Sequence, residues 1–178
     1  KNLIQKTLEL IKVGEFNQAL DQLNKVKNED SNVFYLRGSI YLTLKKIDLA
    51  EENLKSAAKL DNTNPSTFHN LAVLYISKGN KEAAKLNYLK AININNNITS
   101  LCELASLYVE EKNYNDAQKY FETALQHDPN HKKANLGLGN LYMIKNDYYK
   151  GFKHTHKGTG LIRFNKTGIQ IIWCKEKR

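Results

Sequence analysis

The sequence predicts an all-α chain of stacked antiparallel helix pairs, and three sets of recurring residues predict it. Tyr41, Tyr75, Tyr108 and Tyr142 stand 34, 33 and 34 residues apart. Ala50, Ala84, Ala117 and Gly151 follow nine residues behind, at the same intervals. The small residues Gly38, Ala72, Ala105 and Gly139 precede the tyrosines by three. Self-similarity near 34 residues is the signature of helix–turn–helix units that bury their apolar faces only against their neighbours.

Each unit follows from its own residues. In 1–30, Gly14-x-Phe16-x2-Ala19-x3-Leu23 marks a second helix, while Leu3, Lys6, Thr7 and Leu10 make an irregular first one. Residues 31–64 offer Phe34, Gly38, Tyr41, Ala50 and Leu54; residues 65–97 offer Phe68, Leu71, Ala72, Tyr75, Ala84 and Tyr88. In 98–131, Leu101, Leu104, Ala105 and Tyr108 share one helical stripe, and after a break at Lys112–Asn113 a second stripe holds Tyr114, Ala117, Phe121 and Ala124. Ala105 and Ala117 let the two axes approach, with Tyr108 and Phe121 filling the space around them. Pro129 cannot continue a helix, so the second one ends near Gln126–Asp128. Asn62–Asn64 and Asn95–Asn97 end the corresponding helices elsewhere, because their side chains compete for backbone hydrogen bonds. A partial unit covers 132–155. Its second helix should continue from Tyr148-Tyr149-Lys150, but Gly151, Gly158 and Gly160 are expected to interrupt it. In 156–178, Leu161–Phe164, a turn at Asn165–Gly168 and Ile169–Trp173 read as strand, turn, strand. That segment is either a β-hairpin or the start of a missing domain.

These residues resemble the tetratricopeptide repeats, whose pattern is W-x2-L-G-x2-Y, then A-x3-F, then P. Asn135-x2-Leu138-Gly139-x2-Tyr142 carries the first half here, and Ala117-x3-Phe121 with Pro129 carries the second. The chain departs from the pattern at Arg37, where the family has Leu. The resemblance spans roughly 1–155 and implies a right-handed superhelical solenoid whose inner helices line a groove for partner peptides. By register, it implies a groove formed by Tyr35, Ser39, Leu42, Thr43, His69, Asn70, Val73, Ile76, Ser77, Cys102, Ser106, Val109, Leu136, Asn140 and Met143. Chaperone-binding members clamp a carboxylate terminus with paired Lys and Asn. Here Tyr35 and Ser39, or His69 and Val73, hold the places of the first pair, and only Asn70, Lys133 and Asn140 match. The groove therefore suits an apolar extended or helical peptide better than a carboxylate.

Charge is unevenly placed. Residues 1–131 hold 16 basic and 16 acidic groups, whereas 132–178 hold 11 basic groups against Asp147 and Glu176, which accounts for the net +9. An anionic partner at that end, nucleic acid or membrane surface, is one reading; a solvated terminus is the other. Without a base-reading or amphipathic pattern, only weak, sequence-indifferent contact is expected. Cys102 and Cys174 do not form a disulfide framework, and a reducing, cytoplasmic setting is expected. No apolar run reaches the roughly 18 residues of a membrane span. The chain opens at Lys1 inside an imperfect repeat, as a fragment or processed form would.

Chemical motifs are sparse. His154-x-His156 and the His127/His131 pair lack the further ligands of a metal site, so solvated histidines are expected. Cys102 has no His or Asp at a spacing that would activate it. Gly158-Thr-Gly160 lacks the Lys and helix of a phosphate loop. No catalytic constellation and no cofactor follow. The expected function is a protein-interaction scaffold. The alternative is the N-terminal adaptor of a larger enzyme, because Tyr148–His154 also resembles the degenerate last repeat before the enzyme domain of some bacterial fusions.

Overall fold

Several helices start where polar side chains can satisfy the free N–H groups of a first turn. Asp30 accepts from Val33 N–H (2.9 Å), Asn64 from Ser66 N–H (3.0 Å) and Asn97 from Ser100 N–H (2.8 Å). His131 Nδ1 takes the N–H of Ala134 at 3.3 Å. Asn64 and Asn97 thus open the following helices rather than merely ending the preceding ones. The computed structural model describes residues 3–159 in full and the backbone of 162–165 and 168–171.

Among the described residues ten helices result: α1 Leu3–Lys12, α2 Phe16–Leu23, α3 Ser31–Thr43, α4 Ile47–Leu60, α5 Pro65–Ser77, α6 Lys81–Asn95, α7 Ile98–Glu110, α8 Tyr114–His127, α9 Lys132–Ile144 and α10 Tyr148–Thr159. They pack as consecutive pairs, α1 with α2 through α9 with α10. Two short strands, β1 Ile162–Asn165 and β2 Gly168–Ile171, pair antiparallel, with Ile162 opposite Ile171 and Asn165 opposite Gly168. Leu161, Lys166, Thr167, Ile172 and Trp173 of the expected hairpin lie outside the described residues, as do Gly160 and Cys174. The backbone divides into two compact units, Lys1–Asn95 and Asn96–Arg178.

The period is visible in the turns inside each pair. The carbonyls of Leu10, Tyr41, Tyr75, Tyr108 and Tyr142 each accept the N–H five residues on, at 2.8–2.9 Å. The residue just before that donor is left-handed every time: Gly14, Lys45, Gly79, Lys112 and Asn146 have φ between 57° and 82°. The closure satisfies orphan carbonyls at the end of the first helix. Only glycine takes this conformation without steric cost, so Lys45 and Lys112 are held in it by the surrounding fold.

Within the first unit, α2 packs on α3 and α4 on α5. Ala19, Leu20, Leu23, Val33, Leu36 and Ile40 form one core, and Ala50, Leu54, Phe68, Leu71, Leu74 and Ala91 form another. The irregular α1 fits once its repeat is taken as 31 residues. Thr7 then falls at the place of Gly38, and it is buried, with its hydroxyl donating to Leu3 O at 2.9 Å. Arg37, in place of the family's Leu, fastens α3 to the end of α2 by donating to Leu23 O at 3.0 Å and pairing with Glu29.

In the second unit α10 corrects the sequence reading. It runs unbroken from Tyr148 to Thr159, through Gly151 and Gly158. A Cβ on Gly151 would stand 2.8 Å from Met143 Sδ, and one on Gly158 2.7 Å from Leu136 Cγ. These glycines are contact points for α9 rather than helix breaks. The packing gained outweighs the roughly 1 kcal/mol that each glycine costs a helix.

Candidate functional site

Helices α1, α2 and α3 of the first unit form an apolar cleft of about 270 Å³, lined by Leu8 and Ile11 of α1, Phe16 of α2, and Tyr35, Leu36, Ser39, Ile40 and Thr43 of α3. Three residues named from register, Tyr35, Ser39 and Thr43, meet there. Their hydroxyl chemistry is largely internal. Ser39 Oγ donates to Tyr35 O (2.7 Å) and accepts from Asn70 Nδ2 of α5 (2.8 Å), while Thr43 Oγ1 donates to Ser39 O (3.0 Å). An apolar side chain seated beside Ser39 and Thr43 therefore leaves neither hydroxyl unpaired. Further along, Leu42, Val73 and His69 are half-buried, and Ile76 and Ser77 are exposed. His69 lies against Tyr88 of α6, with ring centroids 5.6 Å apart.

The second unit treats its register-named residues differently. Cys102 is fully buried, so it offers no surface to a ligand. Burial pushes its thiol up to about 12, with only minor effects from Lys133 and Glu103. His131 Nδ1 stands 3.5 Å from Cys102 Sγ, a neighbour that a separation of 29 residues concealed. That nitrogen already accepts the N–H of Ala134, so it caps α9 and is not free to take a thiol proton. The pair is a packed contact, not an activated nucleophile. Leu136 and Met143 are half-buried against the glycines of α10. Ser106 and Val109 are half-buried, and Asn140 is exposed. Lys133, one of the three residues that match a carboxylate clamp, is paired with Glu103 at 2.5 Å.

Sequence reasoning missed a polar hub. Asn135, at the family's Trp position, is fully buried, and its Nδ2 donates to Pro129 O (3.0 Å) and His131 O (3.2 Å). Those two bonds fix the amide, so its Oδ1 accepts from His154 Nδ1 at 3.1 Å, and His154 is protonated on that nitrogen. The imidazole stacks on Tyr142 at 5.7 Å. His154 is therefore not a solvated histidine. Burial first, then Lys157 and Lys153, lower its proton affinity below the usual histidine value. The only signal in the sequence was the departure from Trp.

Models of the tetratricopeptide repeat match residues 31–64, 65–98 and 108–148, together more than half of the chain. The chain belongs to the tetratricopeptide-repeat family. A curated relative is the BBSome complex member BBS4 of Bos taurus, 28% identical over 151 residues; the match covers 83% of this chain and 29% of that protein, so the chain spans under a third of its relative's length. Among solved structures, PilF of Pseudomonas aeruginosa superposes with a TM-score of 0.80 at 19% identity, covering 89% of this chain and 76% of PilF. YrrB, described as a repeat protein of this family with an unusual peptide-binding site, superposes with a TM-score of 0.66 at 18% identity, covering 89% of this chain and 84% of YrrB. At such identities the likeness concerns the fold, an all-α repeat solenoid. Among the described residues no cluster of three His, Cys, Asp or Glu side chains could hold a metal, and no helix is long and apolar enough to cross a membrane.

Proposed function

We propose that this tetratricopeptide-repeat chain is a protein-interaction scaffold that seats an apolar, uncharged segment of a partner on the inner face of α1, α3 and α5. The carrying observation is the cleft at Leu8, Ile11, Phe16 and Tyr35, whose hydroxyl neighbours are already bonded within the fold. Hydrophobic burial would supply the affinity, since the α3 and α5 positions named from register contribute no charged group other than His69 if protonated. Among the register positions, Asn70 is bonded to Ser39 and Lys133 to Glu103, which argues against a grip on a carboxylate. The peptide site described for YrrB supports the reading by analogy of fold only.

The test begins by recovering partners with the intact chain and identifying them by mass spectrometry. Binding of the recovered segment is then measured by calorimetry. Leu8→Glu, which places a charge at an exposed edge of the cleft, is expected to weaken binding by about tenfold or more while helical circular dichroism is retained. Tyr35→Ala with His69→Ala should weaken it as well. Unchanged affinity in Leu8→Glu would remove the cleft from the interaction.

A further inference from the structure

The basic groups of α10 lie on the side that packing leaves open. Gly151 and Gly158 are buried against α9, and Thr155 meets Gly139, so the helix commits its small residues to the interior. Its sequence from Tyr148 to Thr159 contains three lysines and no acidic residue. Tyr149, Lys153 and Lys157 are spaced at i, i+4 and i+8, which aligns them along one helical face, with His156 beside them. All four are exposed, Tyr149 by 79%. The stripe is about 12 Å long at 1.5 Å per residue. Asp147, the nearest acid in sequence, is engaged by Lys150 at 2.9 Å, and Lys150 also lies over the Tyr142 ring at 5.2 Å. Among the described residues neither Lys153 nor Lys157 forms an ion pair. Their positive field reaches into the fold, where, after burial, both lysines lower the proton affinity of His154.

We propose that the outer face of α10 docks an acidic segment of a protein partner, with Tyr149 as its aromatic contact and Lys153 and Lys157 as its charge contacts. This surface is separate from the inner cleft and does not depend on it. Charge complementarity selects the occupant, because residues 1–131 are electrically balanced and the excess cations lie in 132–178. A duplex nucleic acid is the poorer match, since one short stripe can reach few phosphates. A bilayer is also poorer, because stable surface binding needs a broad apolar face, which the charged stripe lacks. Tyr149 instead suits the rigid aromatic anchors of protein interfaces.

The test uses the whole chain and fluorescence anisotropy with a short labelled peptide rich in Glu around one aromatic residue. Its Gln counterpart, a single-stranded oligonucleotide and phosphatidylserine vesicles are measured in parallel. The Glu peptide should bind tighter than all three, with an affinity that falls as salt rises. Lys153→Gln with Lys157→Gln should weaken it about tenfold, and Tyr149→Ala about threefold, whereas Lys25→Gln with Lys27→Gln, an equal loss of charge elsewhere, should leave it within about twofold. Equal losses in the two lysine pairs would reduce the effect to bulk charge and overturn the proposal. So would tighter binding to the oligonucleotide or the vesicles than to the peptide.

Discussion

The α3–α4 and α9–α10 pairs share one spacing and one small-residue joint, and differ in what packs around it. In the first, Gly38 of α3 makes room for Leu54 of α4, and a Cβ on that glycine would meet Leu54 Cγ at 2.7 Å. In the second, Gly139 of α9 likewise makes room for Thr155 of α10, but α9 supplies bulk as well: Leu136 and Met143 enter the places left by Gly158 and Gly151 of α10. Where α3 carries Phe34 at the head of its helix, α9 carries the buried Asn135, bonded to His154. The period therefore sets how closely two axes approach. Which further residues interlock around that approach, and whether they are apolar or polar, is free to vary.

The largest effect expected from breaking this arrangement comes at Gly139, which faces Thr155 Oγ1 at 2.5 Å and Thr155 N at 2.9 Å from an added Cβ. Because the second neighbour is backbone and cannot swing aside, Gly139→Leu should cost about 3 kcal/mol or more in chemical denaturation. Ala105→Leu, at a fully buried position, should cost about 1–3 kcal/mol, and Ser106→Leu on the neighbouring half-buried position much less. Equal losses at Ala105 and Ser106 would refute the register.

A somewhat smaller loss should mark the polar joint. Asn135→Leu leaves the carbonyl of Pro129 and the Nδ1–H of His154 without their partner, while His131 O keeps the backbone N–H of residue 135, at about 1–3 kcal/mol. Adding His154→Phe should recover part of it, because both polar partners then leave together. A double variant no more stable than the single one would contradict the hub.

The pH dependence sharpens the contrast further, because the α3–α4 pair contains no histidine. His154 binds a proton less readily folded than unfolded, so the unfolded chain takes up the proton first. Its contribution is fully present above the ordinary value of 6.5 and is lost as pH falls through the lower folded value. His154→Gln should flatten the decline in midpoint between neutral and mildly acidic pH.

The smallest effect concerns the turns. Lys112 holds φ 59° where Gly79 holds 73° without strain. Lys112→Gly should raise stability by roughly 0.5–1 kcal/mol, while Gly79→Ala should lower it by roughly 1 kcal/mol.

Most of the helix pairing was legible because small and aromatic residues recur in register, and those residues set the axis distance directly. Pro129, Asn64 and Asn97 marked their boundaries for local reasons that operate within a few residues. The glycines of α10 misled because glycine has two uses that composition cannot separate, breaking a helix and admitting a neighbour. Thr7 was obscured by a shorter repeat. On the candidate groove, register identified Tyr35, Ser39 and Thr43, which meet at one cleft, but it also named Cys102, which is fully buried. The Asn135–His154 bond joins residues 19 apart on different helices and follows no periodic rule.

Site-specific photo-crosslinking tests the scaffold reading most directly. A benzophenone side chain is placed at Thr43, on the inner cleft, and in a separate protein at Lys153, on the outer face of α10, and each is irradiated with the apolar segment recovered from the partner. Cross-links from Thr43 that disappear in Leu8→Glu, with none from Lys153, are the expected result. Cross-links from Lys153 alone, or from Thr43 undiminished by Leu8→Glu, would contradict it.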